Sequence, residues 1–174
     1  VGELGDGWQV ATTTLMHERR AADSLRSWGQ ASKGDGPIYD QERVETETTM
    51  QPYKWYPQRA GRVDLIMDRA KETGAIKDPA IRQEIAKLMT LHKSAEWTAR
   101  RARAAQEQGK PQGPEGSLGK LAASNVARAA AKVHTLISGA DAMLTGEDSP
   151  MDGTIAEILV SFPASSIAGG TDEI

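Results

Sequence analysis

Glu18 stands in the run TTTLMHERRA, followed directly by Arg19 and Arg20. A carboxylate on a helix can pair with neighbouring guanidinium groups, or, held in a dry pocket, it can take a proton from carbon. Residue types alone leave both readings open, and the helical ion pair is the ordinary one. The second stretch with chemical content is SSIAGGTDEI, residues 165–174. Gly169 and Gly170 allow close backbone approach, and Thr171 offers a hydroxyl. Turn, threonine N-cap, acidic pair Asp172 and Glu173, and apolar anchor Ile174 is also the order in which a helix begins.

Other candidate motifs are weaker. His17, His92 and His134 lie far apart, and none has a second metal-type residue at i+4 on a polar face, so they read as packed or surface histidines. EGSLGKL lacks the spacing of a phosphate loop and a preceding strand. TARRARAA could touch phosphates, but arginine alternating with alanine on a long helix reads as a solvated face.

The elements that must position these residues are helices. The chain has 174 residues, 39% hydrophobic and 26% charged, which suits one soluble domain with a sizeable core. A formal charge of -3 gives no long-range pull toward nucleic acid or acidic membranes. With no cysteine, disulfide and thiolate chemistry are excluded and a reducing compartment is permitted. No apolar run reaches membrane-spanning length and no signal-peptide pattern opens the sequence, so the expected location is cytoplasmic.

Helical spacing from Trp8 through Ala11, Leu15 and Ala22 predicts a helix from near Gly7 to about Trp28. GQASKGDGP then favours turns, and residues 28–60 read as a long, polar, irregular excursion. GRVDLIMDRAKETG places Val63, Ile66, Met67 and Ala70 on one stripe, with Gly74 ending the helix. Asp78 before Pro79 is an N-cap and first-turn pair. Ile81, Ile85, Leu88, His92, Ala95 and Ala99 carry that helix to about Gln108. GKPQGPEG turns the chain into a second long helix, about 117–137, with Leu118, Leu121, Val126, Ala129, Val133 and Leu136 inward. A last helix spans about 153–162. Two long helices joined by a short turn lie antiparallel, so the expected fold is an all-α, up-and-down bundle.

Three segments read in order, GELGDGWQVATTTLMHERR, GPEGSLGKL and SIAGGTDEI, resemble the carboxy-terminal helical domain of the acyl-CoA dehydrogenases, especially the actinobacterial type. DPAIRQEIAKL and LISGADAM fall between them in the family's order, and only the stretch from about Ser27 to Gly61 is unlike it. The resemblance implies one domain, 1–174, of a longer polypeptide whose amino-terminal helical and β domains lie outside this chain. The fragment alone is then expected to be inactive.

The chemistry implied by the resemblance is FAD-dependent oxidation of an acyl-CoA thioester to the 2-enoyl product, with electrons passing on to an electron-transfer flavoprotein. In many relatives the base directly precedes the Gly-Thr of the terminal loop, which here is Gly169, without a side chain. In a smaller set it lies on the first helix before an arginine, and Glu18-Arg19 occupies that place. The resemblance therefore implies Glu18 as base, Arg19 beside the substrate, and Gly169, Gly170, Thr171 and Glu173 near the cofactor. Two signatures are missing. An Arg-x-x-Phe-Gly segment cannot exist, because the only Phe is Phe162, and a Gln-x-x-Gly-Gly segment becomes Leu136 through Ala140. Both belong to the arm that completes a neighbour's flavin site, so a homo- or heterotetramer with a related dehydrogenase chain is expected. A non-catalytic scaffold subunit of the same descent, or an unrelated helical adaptor, are the other readings.

Overall fold

The computed structural model describes residues 2–28, 34–53, 55–111 and 113–173, with 20–28 followed as helical backbone. The helices are α1 (Gly7–Trp28), α2 (Pro37–Met50), α3 (Tyr56–Arg59), α4 (Ile66–Glu72), α5 (Pro79–Glu107), α6 (Glu115–Ser138) and α7 (Thr154–Ser161), with short 3-10 turns between them. Among the described residues there is no strand, as the all-α expectation requires. None of these helices is long and apolar enough to cross a membrane.

Local signals account for several boundaries. Asp78 caps α5 by accepting from the backbone N–H groups of Ala80 at 2.7 Å and Ile81 at 3.4 Å, with Pro79 at the first helical position. Gly74 ends α4 in the left-handed conformation. The excursion over 28–60 is not irregular throughout, because α2 and α3 lie inside it. Pro37 opens α2 and Asp40 sits in its first turn, and good helix formers follow. That helix has no buried residue and no clear apolar face, which is why hydrophobic periodicity gave no sign of it. The expected turn over 29–33, the side chains of Arg20 and Ala22, and Ile174 lie outside the described residues.

Helices α5 and α6 form the antiparallel pair, and α6 is shared by two cores. On one side Ile66, Ala70, Ile85 and Leu88 pack against Val126, Ala130, Val133 and Ile137. On the other, Ala131 meets Ala142, Ile155 and Ile158, with Leu159 and Phe162 at the margin. The inward set expected for α6 holds for Val126 and Val133 but not for Leu118, Leu121 and Leu136, which are 51%, 40% and 41% exposed. Leu118 and Leu121, near the start of the helix, face an open cleft beside the terminal loop, while the small Ala127, Ala130 and Ala131 are buried and Gly61 approaches two of them closely. Met67 and His92 also face out, and Arg69 is buried in their stead. Among the described residues α1 packs broadly against no other element.

The close approach to α6 is made by the turn before α4. Gly61 has φ of 87°, and a Cβ there would lie 2.7 Å from Ala130 Cβ and 3.1 Å from Ala127 Cα, so only glycine fits. Arg62, also left-handed at φ 41°, is held by a bidentate pairing with Asp64. His134 closes the arrangement from inside α6. Arg69 Nη1 lies 2.9 Å from its Nδ1, and a guanidinium only donates, so Nδ1 accepts and Nε2 carries the hydrogen. That Nε2–H points to Gly61 O at 3.1 Å and Arg62 O at 3.3 Å. Arg69 also donates to Ser138 Oγ.

Burial first, and then the charge of Arg69, push the His134 pKa from 6.5 down to about 4, against an opposing pull from the Gly61 carbonyl. The unfolded chain therefore binds a proton that the folded chain refuses. Stability is full above pH 6.5 and falls as the pH drops toward 4, by roughly 3 kcal/mol over the whole window. Glu84, held at about 2 by Lys132 and Lys87, and Asp172, also at about 2, lose their contributions mainly at lower pH. Urea denaturation at pH 7 and pH 4.5 should show this loss for the native chain. In His134→Gln the difference between the two pH values should nearly vanish, although the variant is less stable at both.

Candidate functional site

Glu18 and Arg19 leave α1 at consecutive positions and meet the same residue of the terminal loop. The Gly169 N–H donates to Glu18 Oε1 at 2.7 Å, and Arg19 Nε donates to the Gly169 carbonyl at 2.8 Å. Both polar backbone groups of Gly169 are thus taken up by adjacent side chains of one helix. The positive φ of 73° turns the Gly169 peptide toward α1, and its missing Cβ leaves room for Arg19 Cγ. Gly169 is buried, Arg19 half-buried and Glu18 exposed. The dry surroundings that a carbon base needs are therefore not supplied by the described residues of this chain.

The loop reaches α1 because α6 holds it from the other side. Lys120 and Ser124 donate to the Ser165 carbonyl at 2.8 and 2.7 Å, and Ser165 Oγ donates to Arg59 O at 2.7 Å. Arg128 donates to Ser166 Oγ at 3.0 Å and to Asp172 Oδ2 at 2.8 Å, while Lys120 lies 3.4 Å from Asp172 Oδ1. Ser124, then Arg128 and Lys120, hold the Asp172 carboxyl down at about 2. Ser124 has a single hydroxyl hydrogen, and it is placed on the Ser165 carbonyl, so the two cations are the standing partners of Asp172. Asp172, expected from its neighbours to be a first-turn helix acid, is instead an ion-pair partner, and Lys120, Ser124 and Arg128 are not among the residues the sequence motifs single out. Their spacing of four along α6 sets them on one face, which is the signal available in the sequence.

A cleft of about 170 Å³ opens between these parts, lined by Arg19, Leu118, Lys120, Leu121, Thr171 and Glu173 among others. Of the four residues expected near a cofactor, Thr171 and Glu173 face this cleft, whereas Gly169 is turned into Glu18 and Arg19. Leu118 and Leu121, expected in the core, form its apolar wall.

The model of the family described as acyl-CoA dehydrogenase, C-terminal domain, matches residues 60–174. The chain belongs to this family. Comparison with curated proteins and with solved structures finds no significant match. The matched residues include the terminal loop and α6 but not α1, which carries Glu18. Acyl-CoA dehydrogenases are in general FAD-dependent oxidoreductases. A cleft of about 170 Å³ is below the few hundred Å³ of a ligand-enclosing pocket, so its lining residues do not by themselves enclose a ligand of cofactor size. The cleft presents the Thr171 hydroxyl, the cations Arg19 and Lys120, and an apolar side formed by the two leucines.

Gly169→Ala tests the geometry of this acyl-CoA dehydrogenase domain directly. The new Cβ would sit 3.1 Å from Arg19 Cγ at a φ of 73°, so denaturation should show a loss of roughly 1–3 kcal/mol. Adding Arg19→Ala should remove the steric part and leave the backbone strain.

Proposed function

We propose that this chain is the carboxy-terminal helical bundle of an acyl-CoA dehydrogenase subunit that converts an acyl-CoA thioester to the 2-enoyl-CoA, with Glu18 taking the α-proton. The observation that carries this reading is the 2.7 Å hydrogen bond from Gly169 N–H to Glu18 Oε1. Two positions far apart in sequence, each a place where the family resemblance would put a base, are brought into direct contact. One is a glycine with no side chain to offer, and the other is a carboxylate.

The α-proton of a thioester is weakly acidic, so a base must meet it at hydrogen-bond distance and the carbonyl must be stabilised as it becomes enolate-like. Glu18, aimed by the Gly169 N–H, is positioned for the first task. Arg19, pinned to the Gly169 carbonyl beside it, lends positive charge at the mouth of the cleft where an acyl-CoA enters. FAD, held beside Thr171 and Glu173, would supply the acceptor for the β-hydride, with an electron-transfer flavoprotein as the expected electron partner. Substrate and the remaining domains cover Glu18 and exclude water from it. In the complete enzyme Glu18→Gln keeps shape and hydrogen bonding but removes the base, so turnover should fall at least about 100-fold with flavin content unchanged. Near-native turnover would return Glu18 to a surface ion pair.

The alternative, a non-catalytic subunit supporting an active partner, draws on the end of α6. Leu136 is exposed and leads into Gly139 and Ala140, where the family resemblance expects a glutamine and two glycines. Such a chain pairs best with a relative that keeps the missing arm, in a heterotetramer. Co-expression with a neighbouring dehydrogenase gene should raise activity over the chain expressed alone, with about half the usual flavin per chain. A fully active homo-oligomer carrying one FAD per chain would exclude the paired assembly and the scaffold role together.

A further inference from the structure

The segment from Ser165 to Asp172 is closed into a ring by two side chains of α6. Lys120 holds the Ser165 carbonyl at 2.8 Å on one side of the diglycine and Asp172 Oδ1 at 3.4 Å on the other. Arg128 does the same, with Ser166 Oγ at 3.0 Å before the glycines and Asp172 Oδ2 at 2.8 Å after them. Lys120 and Asp172 side chains are 11% and 18% exposed, so this is not a pairing of free surface charges. Between the two ties lie Gly169 and Gly170, with φ of 73° and 98°, which have the least intrinsic preference for any one conformation. The Gly169 peptide that meets Glu18 and Arg19 is held from α1 by those two residues, and the hydrogen bonds from α6 described above reach it through the ends of this ring.

We infer that Asp172 is a positioning residue for the dehydrogenation. By bridging Lys120 and Arg128 it fixes the downstream end of the diglycine, and so fixes the Gly169 N–H that aims the Glu18 carboxylate. Asp172 acts through the loop and does not meet the reacting carbon. The upstream ties at Ser165 and Ser166 survive its removal, so the loop stays docked while the Gly169 peptide gains freedom to rotate about its glycine torsions. The inference rests on Glu18 being the base.

A misplacement of about 1 Å can lower a rate by up to 100-fold. In the complete enzyme Asp172→Ala should lower kcat by about 10- to 100-fold, with KM changed by no more than about 3-fold. The deuterium isotope effect from α-labelled substrate should rise, because proton removal becomes more rate-limiting. Asp172→Glu, which restores the anion between the two cations, should recover most of the turnover, and Asp172→Asn covers the case in which the alanine variant fails to fold. Hydrogen exchange followed by mass spectrometry gives a readout independent of activity: exchange at the Gly169 amide should rise at least about 10-fold in the alanine or asparagine variant. Unchanged exchange at Gly169, or a loss of stability and flavin with an unaltered isotope effect, overturns the inference. Glu18→Gln separates the two failures. If that variant is inactive while Asp172→Ala is normal, only the positioning role falls; if Glu18→Gln is active, the assignment of the base falls.

Discussion

Helix α6 has to bury opposite faces at once, and most of the structure follows from that constraint. One face carries Val126, Ala130, Val133 and Ile137 into the core with α4 and α5, and the other carries Ala131 against α7. A helix buried on both sides can be approached closely only where its side chains are small, and Ala127, Ala130 and Ala131 supply those places. Gly61 rests on two of them. The polar groups that this burial would strand are joined to one another: Arg69 to His134 and Ser138, and His134 to the carbonyls of Gly61 and Arg62. Removing His134 would take a hydrogen-bond partner from the buried Arg69 and from the Gly61 carbonyl at once, which is more damaging than the loss of a single exposed hydrogen bond.

The same helix that organises the core also presents Lys120, Ser124 and Arg128 to the terminal loop. Rigidity is thereby passed from the buried half of α6 to a glycine-rich segment that has little of its own. From there it reaches α1 through the Gly169 peptide. Helix α1 has no broad packing among the described residues, so the Glu18 carboxylate and Arg19 are tied to the rest of the chain by those two hydrogen bonds. Leu118 and Leu121 stay exposed on the same side, beside Arg19 and Thr171, and give the cleft both an apolar and a charged flank.

Much of the helical framework was legible in the residues themselves. Asp78-Pro79 marked the start of α5, Gly74 the end of α4, and Gly7 and Trp28 the limits of α1, because capping and helix-breaking are local properties of a few neighbouring residues. Helix α2 carries no hydrophobic period because it buries nothing, and burial is what writes such a period into a sequence. Leu118, Leu121 and Leu136 were placed inward by their own spacing, yet which stretch of a helix is covered depends on where its neighbours end.

For the site, the sequence determined which side chains could do chemistry: the carboxylate of Glu18, the guanidinium of Arg19, and a terminal loop able to bend at Gly169 and Gly170. It also placed the chain's terminal loop and helices in family order. Only the tertiary structure decided that Glu18 and Arg19 close on one peptide of that loop, that Asp172 serves as a bridge to Lys120 and Arg128 and not as a helix-starting acid, and that His134 is a buried acceptor for Arg69. These are contacts between residues dozens to more than a hundred positions apart. Local propensity and spacing say nothing about such pairs, since it is the packing of α6 against its neighbours that brings them within hydrogen-bond reach.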